Sequence, residues 1–131
     1  MGLQQYISVT PWDGLRFGTM GAPASGEFHR AHFAGHIYDV TIGPALTSLV
    51  RDGTPRLRAD AAVIVRKYVQ QPAQLSFTIR SRKGTRVSTE EFASGILRLS
   101  IDNHDRARIA VQSGRCAFEV PEGEHKVELR Q

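Results

Sequence analysis

The chain has 131 residues, of which 40% are apolar and 23% charged, and carries a net charge of +4. That length supports one domain with a real core and is short for two, so residues 1–131 are expected to form a single domain. No apolar run approaches the roughly 20 residues of a membrane span. The stretch MGLQQYISVTPWDG shows no basic region followed by an apolar core, so no signal peptide is visible, and the expected location is cytoplasmic.

The charge is unevenly spread: residues 1–50 carry net −1, residues 51–115 net +7 and residues 116–131 net −2. The single cysteine, Cys116, has no internal disulfide partner. The absence of disulfides fits a reducing compartment. Cys116 is expected to be buried as a small hydrophobe, since no basic or histidine neighbour in the chain activates it.

In chain order, Gln5–Thr10 (QYISVT) reads as a first strand. Pro11-Trp12-Asp13-Gly14 is a turn, and Leu15–Thr19 a second strand with Leu15 and Phe17 facing inward. Residues 18–36 hold four glycines and Pro23, a density of breakers that predicts a long loop. Ile37–Ile42 is a strand. Gly43-Pro44 then opens an expected short helix, ALTSLVRD, closed by Gly53, with proline at its first position and glycine past its end. Ala61–Val69 is apolar on both faces at first, the mark of a central strand. Leu75–Arg82 alternates cleanly, with Leu75, Phe77 and Ile79 inward. Pairing Val69 with Leu75 places Val65 against Ile79. Ser88 and Glu91 fit a capping box ahead of a second short helix that ends at Gly95.

The stretch from Ile96 to Arg130 has the strongest pattern. Four runs alternate with period 2 and read as a C-terminal antiparallel meander. A turn centred on Gly114-Arg115 pairs Val111 with Phe118 and Ile109 with Val120. The loop Pro121–Glu124 pairs Phe118 with Val127 and Cys116 with Leu129. A three-residue loop, Asn103–Asp105, pairs Asp102 with Arg106, Leu99 with Ile109 and Leu97 with Val111. A one-residue slip in any of these hairpins turns an apolar row into water. The expected fold is therefore all-β: a single-domain two-sheet sandwich, with a flattened barrel as the alternative, plus one or two short helices.

Three constellations carry candidate chemistry. His29, His32, His36 and Asp39 have spacings of three and four residues and form a chemically adequate donor set for zinc. A solvated histidine-bearing loop is the plainer reading, because Gly26 and Gly35 oppose the helix that would gather them. His104 and His125 fall at the same end of the expected meander, where a histidine pair with Arg80 or Arg98 would suit general acid–base cleavage of RNA. Finally, Arg66, Arg80, Arg82, Arg86, Arg98 and Arg108 fall on outward positions or loops, together with Lys67, Lys83 and Arg106. Arg80, Arg82, Arg98 and Arg108 are expected to share one basic face suited to phosphates. The aromatic interleaving of single-strand binders is missing, since Phe77 and Phe118 point to the core.

No phosphate-loop, GxSxG, HExxH or CxxC pattern is present. The expected function is a non-catalytic interaction module that binds a protein partner or self-associates, as an assembly component or inhibitor. A nucleic-acid binder using the arginine face is the alternative, and a histidine-dependent metalloenzyme or nuclease is third. No cofactor and no membrane contact are expected.

Overall fold

The computed structural model describes residues 7–21, 26–90 and 95–131. Among these residues, thirteen strands run in the order β1 (Ile7–Thr10), β2 (Gly14–Gly18), β3 (Glu27–Phe33), β4 (His36–Gly43), β5 (Leu46–Arg51), β6 (Thr54–Ala59), β7 (Val63–Gln71), β8 (Gln74–Ser81), β9 (Thr85–Glu90), β10 (Gly95–Ile101), β11 (His104–Val111), β12 (Arg115–Val120) and β13 (Gly123–Arg130). They form two antiparallel sheets. The first has seven strands in the order β1-β2-β7-β8-β13-β10-β11, and the second has six in the order β12-β9-β6-β5-β4-β3. The sheets pack face to face as a sandwich and do not close into a barrel.

One apolar cluster fills the space between the sheets. Phe17, Val65, Phe77, Ile79, Leu97 and Leu129 come from the seven-stranded sheet; Val40, Ile42, Leu49, Val87 and Phe118 come from the six-stranded one. The inward positions of β2 and β8 agree with the alternation read from sequence, as does the central place of β7 between β2 and β8. Val65 does pair with Ile79, but a bulge between Arg66 and Val69 shifts the rest, so Val69 meets Ser76 and Gln70 meets Leu75.

The structure corrects the expected helices: among the described residues there are none. ALTSLVRD is strand β5. Its proline belongs to a two-residue turn, Pro44-Ala45, that pairs Gly43 with Leu46. Its glycine belongs to a second turn, in which Asp52 and Gly53 both have positive φ. The period-2 signal was hidden because an inward position is held by threonine. Thr47 is buried, its hydroxyl donating to the Ala61 carbonyl at 2.9 Å and accepting from the Val63 amide at 3.3 Å. The capping-box segment fails in the same way. Thr85, Val87 and Thr89 point inward from strand β9, while residues 91–94 lie outside the described residues.

The long loop expected over residues 18–36 is likewise corrected, because its second half is strand β3. Gly35 is not a breaker there. With Ala34 it makes a tight hairpin turn in which both residues have positive φ, and Phe33 pairs with His36.

The largest correction concerns the meander. Only β10 and β11 pair as a hairpin, and in a shifted register. Asp102 and Asn103, both with positive φ, form a two-residue turn that sets Ile101 opposite His104, Leu99 opposite Ala107 and Leu97 opposite Ile109. β12 then crosses to the other sheet and pairs with β9. β13 crosses back and lies between β8 and β10. Phe118 and Val127 therefore face the core from opposite sheets rather than from adjacent strands.

Gly18 marks a close approach between backbones. Its φ is +102°, and a Cβ there would sit 2.0 Å from the Val63 carbonyl oxygen. Gly18→Ala is expected to lower stability by roughly 1–3 kcal/mol through strain and displacement of β7. Gly21→Ala, with nothing within 4 Å of its added Cβ, is expected to change stability little. Urea denaturation of both variants checks this, and an unchanged midpoint for Gly18→Ala would contradict it.

Candidate functional site

The sheets end together on two sides of the sandwich. On one side the end strands are β1 and β3, and on the other they are β11 and β12. Ser113 and Gly114, both with positive φ, join β11 to β12. Gln112 and Arg115 exchange backbone hydrogen bonds across this turn at 2.9 and 3.0 Å. That bridge is isolated. Beyond it the two strands diverge, since β11 belongs to β10's sheet and β12 to β9's. The result is a seam in which two strand edges lie side by side without a shared ladder.

Two cavities open along this seam. A cleft of about 890 Å³ runs from the outward residues Arg58 and Ser88 of the six-stranded sheet to Arg108 and Ala110 of β11. A second cavity of about 400 Å³ is lined by Leu99, Ile101, Ile109 and Phe118, with Arg106 and Glu119 also on its wall. Ile109 and Ala117 line both, so the cavities adjoin along β11 and β12.

The cleft is cationic. Arg58, Arg86, Arg108 and Arg115 line it against one carboxylate, Glu90. Arg115 pairs with Glu90 at 2.8 Å and Arg86 with Glu119 at 3.1 Å. Among the described residues, Arg58 and Arg108 have no acidic partner. Arg58 and Arg115 were not picked out from the sequence. Their neighbours in the cleft come from strands far apart in the chain, and no linear pattern marks them.

Of the six arginines singled out from sequence, Arg66, Arg80, Arg98 and Arg108 lie on the outward face of the seven-stranded sheet, but they do not form one cluster. Arg66 lies on β7 and is held by Asp13 at 3.2 Å and Glu124 at 3.0 Å. These partners, the hydrogen bond that Arg66 donates to Asp13 above all, raise its pKa further. Arg80, on β8, stands opposite Glu124. Six residues of extended chain, about 20 Å, separate it from Gln74, the β8 residue beside Arg130. Arg82 lies beyond the end of β8, and Arg86 belongs to the other sheet. What the fold does bring together is Arg98, with Arg108 opposite it on β11 and Arg130 opposite it on β13. Arg130 was missed because its place beside Arg98 depends on the crossover of β13.

The candidate metal set is dispersed. His29 is opposite Val40 and faces inward, while His32 and Asp39 lie on the outward face. Asp39 is engaged by Arg30 at 2.6 Å, and this hydrogen bond holds its carboxyl below the usual carboxylate range. His36 bonds instead with Asp52 at 2.5 Å. No group of three or more metal-ligating side chains forms among the described residues. The helix that would have collected these residues is a two-stranded ribbon, whose side chains alternate between faces.

The two other histidines lie at the same end of the seven-stranded sheet, on β11 and β13 with β10 between them, and their partners differ. His125 Nδ1 bonds Asp102 Oδ2 at 2.6 Å, and its Nε2 bonds the Glu122 carbonyl at 2.8 Å. Acceptors at both nitrogens favour the doubly protonated ring. The Asp102 hydrogen bond, seconded by the Glu122 carbonyl, raises its pKa, while its contact with His125 and the Lys126 amide lowers that of Asp102. His104 is opposite Ile101 and joins no such arrangement. Cys116 is buried, and burial pushes its thiol pKa up. It sits 3.0 Å from the Thr89 hydroxyl.

No protein-family model matches this chain, and neither a curated protein nor a solved structure matches it.

The His125–Asp102 pair carries a signed pH dependence. The folded pKa of His125 lies above its ordinary 6.5, so its contribution is fully present below that value. It is lost as pH rises through the raised folded value. Asp102 contributes above the ordinary carboxylate range, and its share is lost as pH falls through its depressed value. Asp102→Asn is expected to bring the His125 titration down toward 6.5 and to cost about 1 kcal/mol. That is less than a buried charged hydrogen bond contributes, because water screens a half-exposed carboxylate. NMR titration of the ring protons tests this, and a His125 that titrates identically in both proteins would refute it.

Proposed function

We propose that the protein is a non-catalytic interaction module that binds another protein, as a component of an assembly or as an inhibitor. The observation that carries this reading is the open seam between β11 and β12. A sheet edge with free amide and carbonyl groups is a template for pairing with a second chain. β11 is eight residues long and exposed over most of its length. β10 presents Ile96, 62% exposed, opposite Ala110 of β11, so apolar surface continues from the seam onto the neighbouring strand. The chemistry-bearing side chains elsewhere support the same reading, because their hydrogen-bonding groups are spent on the fold: His125 and His36 on aspartates, Cys116 in the core.

A second reading, binding of a nucleic acid or similar polyanion, is favoured by one specific arrangement. Arg108, Arg98 and Arg130 stand side by side on three adjacent strands. Like charges opposite one another destabilise a sheet, and a bound polyanion relieves that repulsion.

Photo-crosslinking separates the readings. A photoreactive residue at Ala110 is expected to capture one discrete protein species from the source cells, and the same group at Ser8, on the opposite side of the sandwich, is not. Equal labelling from both positions, or none, would count against the protein-binding reading. For the polyanion reading, fluorescence anisotropy with labelled oligonucleotides should give a steep negative salt slope. That slope should fall by roughly 2 when Arg98 and Arg108 are both changed to Ala, about one unit per lost phosphate contact. No binding at low salt would remove that reading.

A further inference from the structure

We infer that the seam between β11 and β12 receives an extended acidic segment of a partner protein, which adds to the free edge of β11 as a strand. This rests on the protein-binding reading above and specifies the partner's chemistry.

The backbone of β11 is satisfied by β10 on one side only. On its other side the pairing stops at the Gln112–Arg115 bridge, leaving the edge of Ala107–Val111 open where the cavities lie. β12, which borders the same space, runs six residues, about 20 Å of extended chain. A donated strand of that length fits the run of the seam. Its backbone would make the hydrogen bonds that β11 lacks, and these carry affinity without regard to side chains.

The side chains of the seam set the sequence preference. Leu99, Ile109 and Phe118 line its apolar end, which calls for apolar residues at alternate positions, because successive side chains of a strand point to opposite faces. Arg58 and Arg108 lie at the other end with no acidic partner among the described residues, which calls for carboxylates. The segment is therefore one of alternating apolar and acidic residues. A nucleic acid fits this seam less well. It offers no amide ladder to a strand edge, and among the described residues the only aromatic ring lining either cavity is Phe118, which is buried and gives no exposed stacking platform.

The test uses the full chain and a fluorescent peptide of alternating glutamate and valine, eight residues long. Binding is expected, with hydrogen-exchange protection gained on β11 and not on β3, the exposed edge at the other side of the sandwich. Methylating alternate backbone nitrogens of the peptide leaves its charge intact and should weaken binding by roughly tenfold or more, because the ladder is lost. Arg58→Glu with Arg108→Glu changes two exposed side chains and should weaken binding by a similar factor, while an equivalent peptide of alternating lysine and valine should gain. Equal affinity for the methylated peptide would overturn strand addition and leave charge attraction alone. Tighter binding of an oligonucleotide of equal charge, dependent on the same two arginines, would overturn the choice of a peptide. If no peptide binds but crosslinking from Ala110 still captures a protein, this inference fails while the protein-binding reading stands. If neither occurs, both fail.

Discussion

Asp102 settles which strand lies beside β10. It sits in the left-handed region at the first position of the β10–β11 turn, with φ 53°. There its own amide donates to the Lys126 carbonyl at 2.8 Å, and its carboxylate accepts from the Lys126 amide at 2.9 Å. One residue thus supplies both halves of an antiparallel rung at a point where the regular ladder has ended. The same clasp occurs twice more. Asp52 closes on Ile37 in this way at 2.8 Å in each direction. Asp60 closes on Arg86 at 3.2 and 2.9 Å. In two of the three, a histidine next to the clasped residue bonds the second carboxylate oxygen. Asp102 and Asp52 make the clasp from the left-handed region, which aspartate tolerates better than most residues, whereas Asp60 makes it without a positive φ.

The openness of the seam follows from this clasp. β10 has two edges. The tight Asp102-Asn103 turn gives one to β11, and the clasp on Lys126 gives the other to β13. β12 then has no place in that sheet and pairs with β9 instead. β11 is left at the end of one sheet and β12 at the end of the other, linked by a two-residue turn and a single bridge. Edges are usually blunted by charge or a bulge. β11 shows both in its first half, where Arg106 sits at the shift in register between Leu99 and Ser100. Its last three residues, Ile109-Ala110-Val111, have no charged side chain, and Ile109 and Ala110 border the larger cleft beside Arg108.

Charge placement reinforces the same asymmetry. Arg66 is neutralised by Asp13 and Glu124, and Arg30 by Asp39. Among the described residues, the cations left without acidic partners include Arg58, Arg98 and Arg108, on or beside the seam. The net +7 of residues 51–115 is therefore not spread evenly over the molecule. Part of it is used in ion pairs, and part faces the cleft that Arg58 of β6 and Arg108 of β11 line together.

Alternation along each strand determined which side chains face inward, and it did so wherever the inward residues were apolar. Leu15, Phe17, Leu75, Phe77, Ile79, Leu97, Leu99, Phe118 and Val127 all lie in the core as their period of 2 requires. It failed at β5 and β9, where Thr47, Thr85 and Thr89 are inward residues whose hydroxyls find partners, so the strands looked irregular and were mistaken for helices. The choice of neighbours was beyond it. In a sandwich the inward residues of facing sheets alternate just as cross-strand neighbours do. Phe118 and Val127 thus satisfy the same pattern whether they sit on adjacent strands or on opposite walls of the core. The crossovers of β12 and β13, the meeting of Arg98 with Arg130 and the cleft that gathers Arg58 and Arg108 were decided only in the tertiary structure. There hydrogen bonds and turn geometry, which carry no hydrophobic period, assign each strand to its sheet.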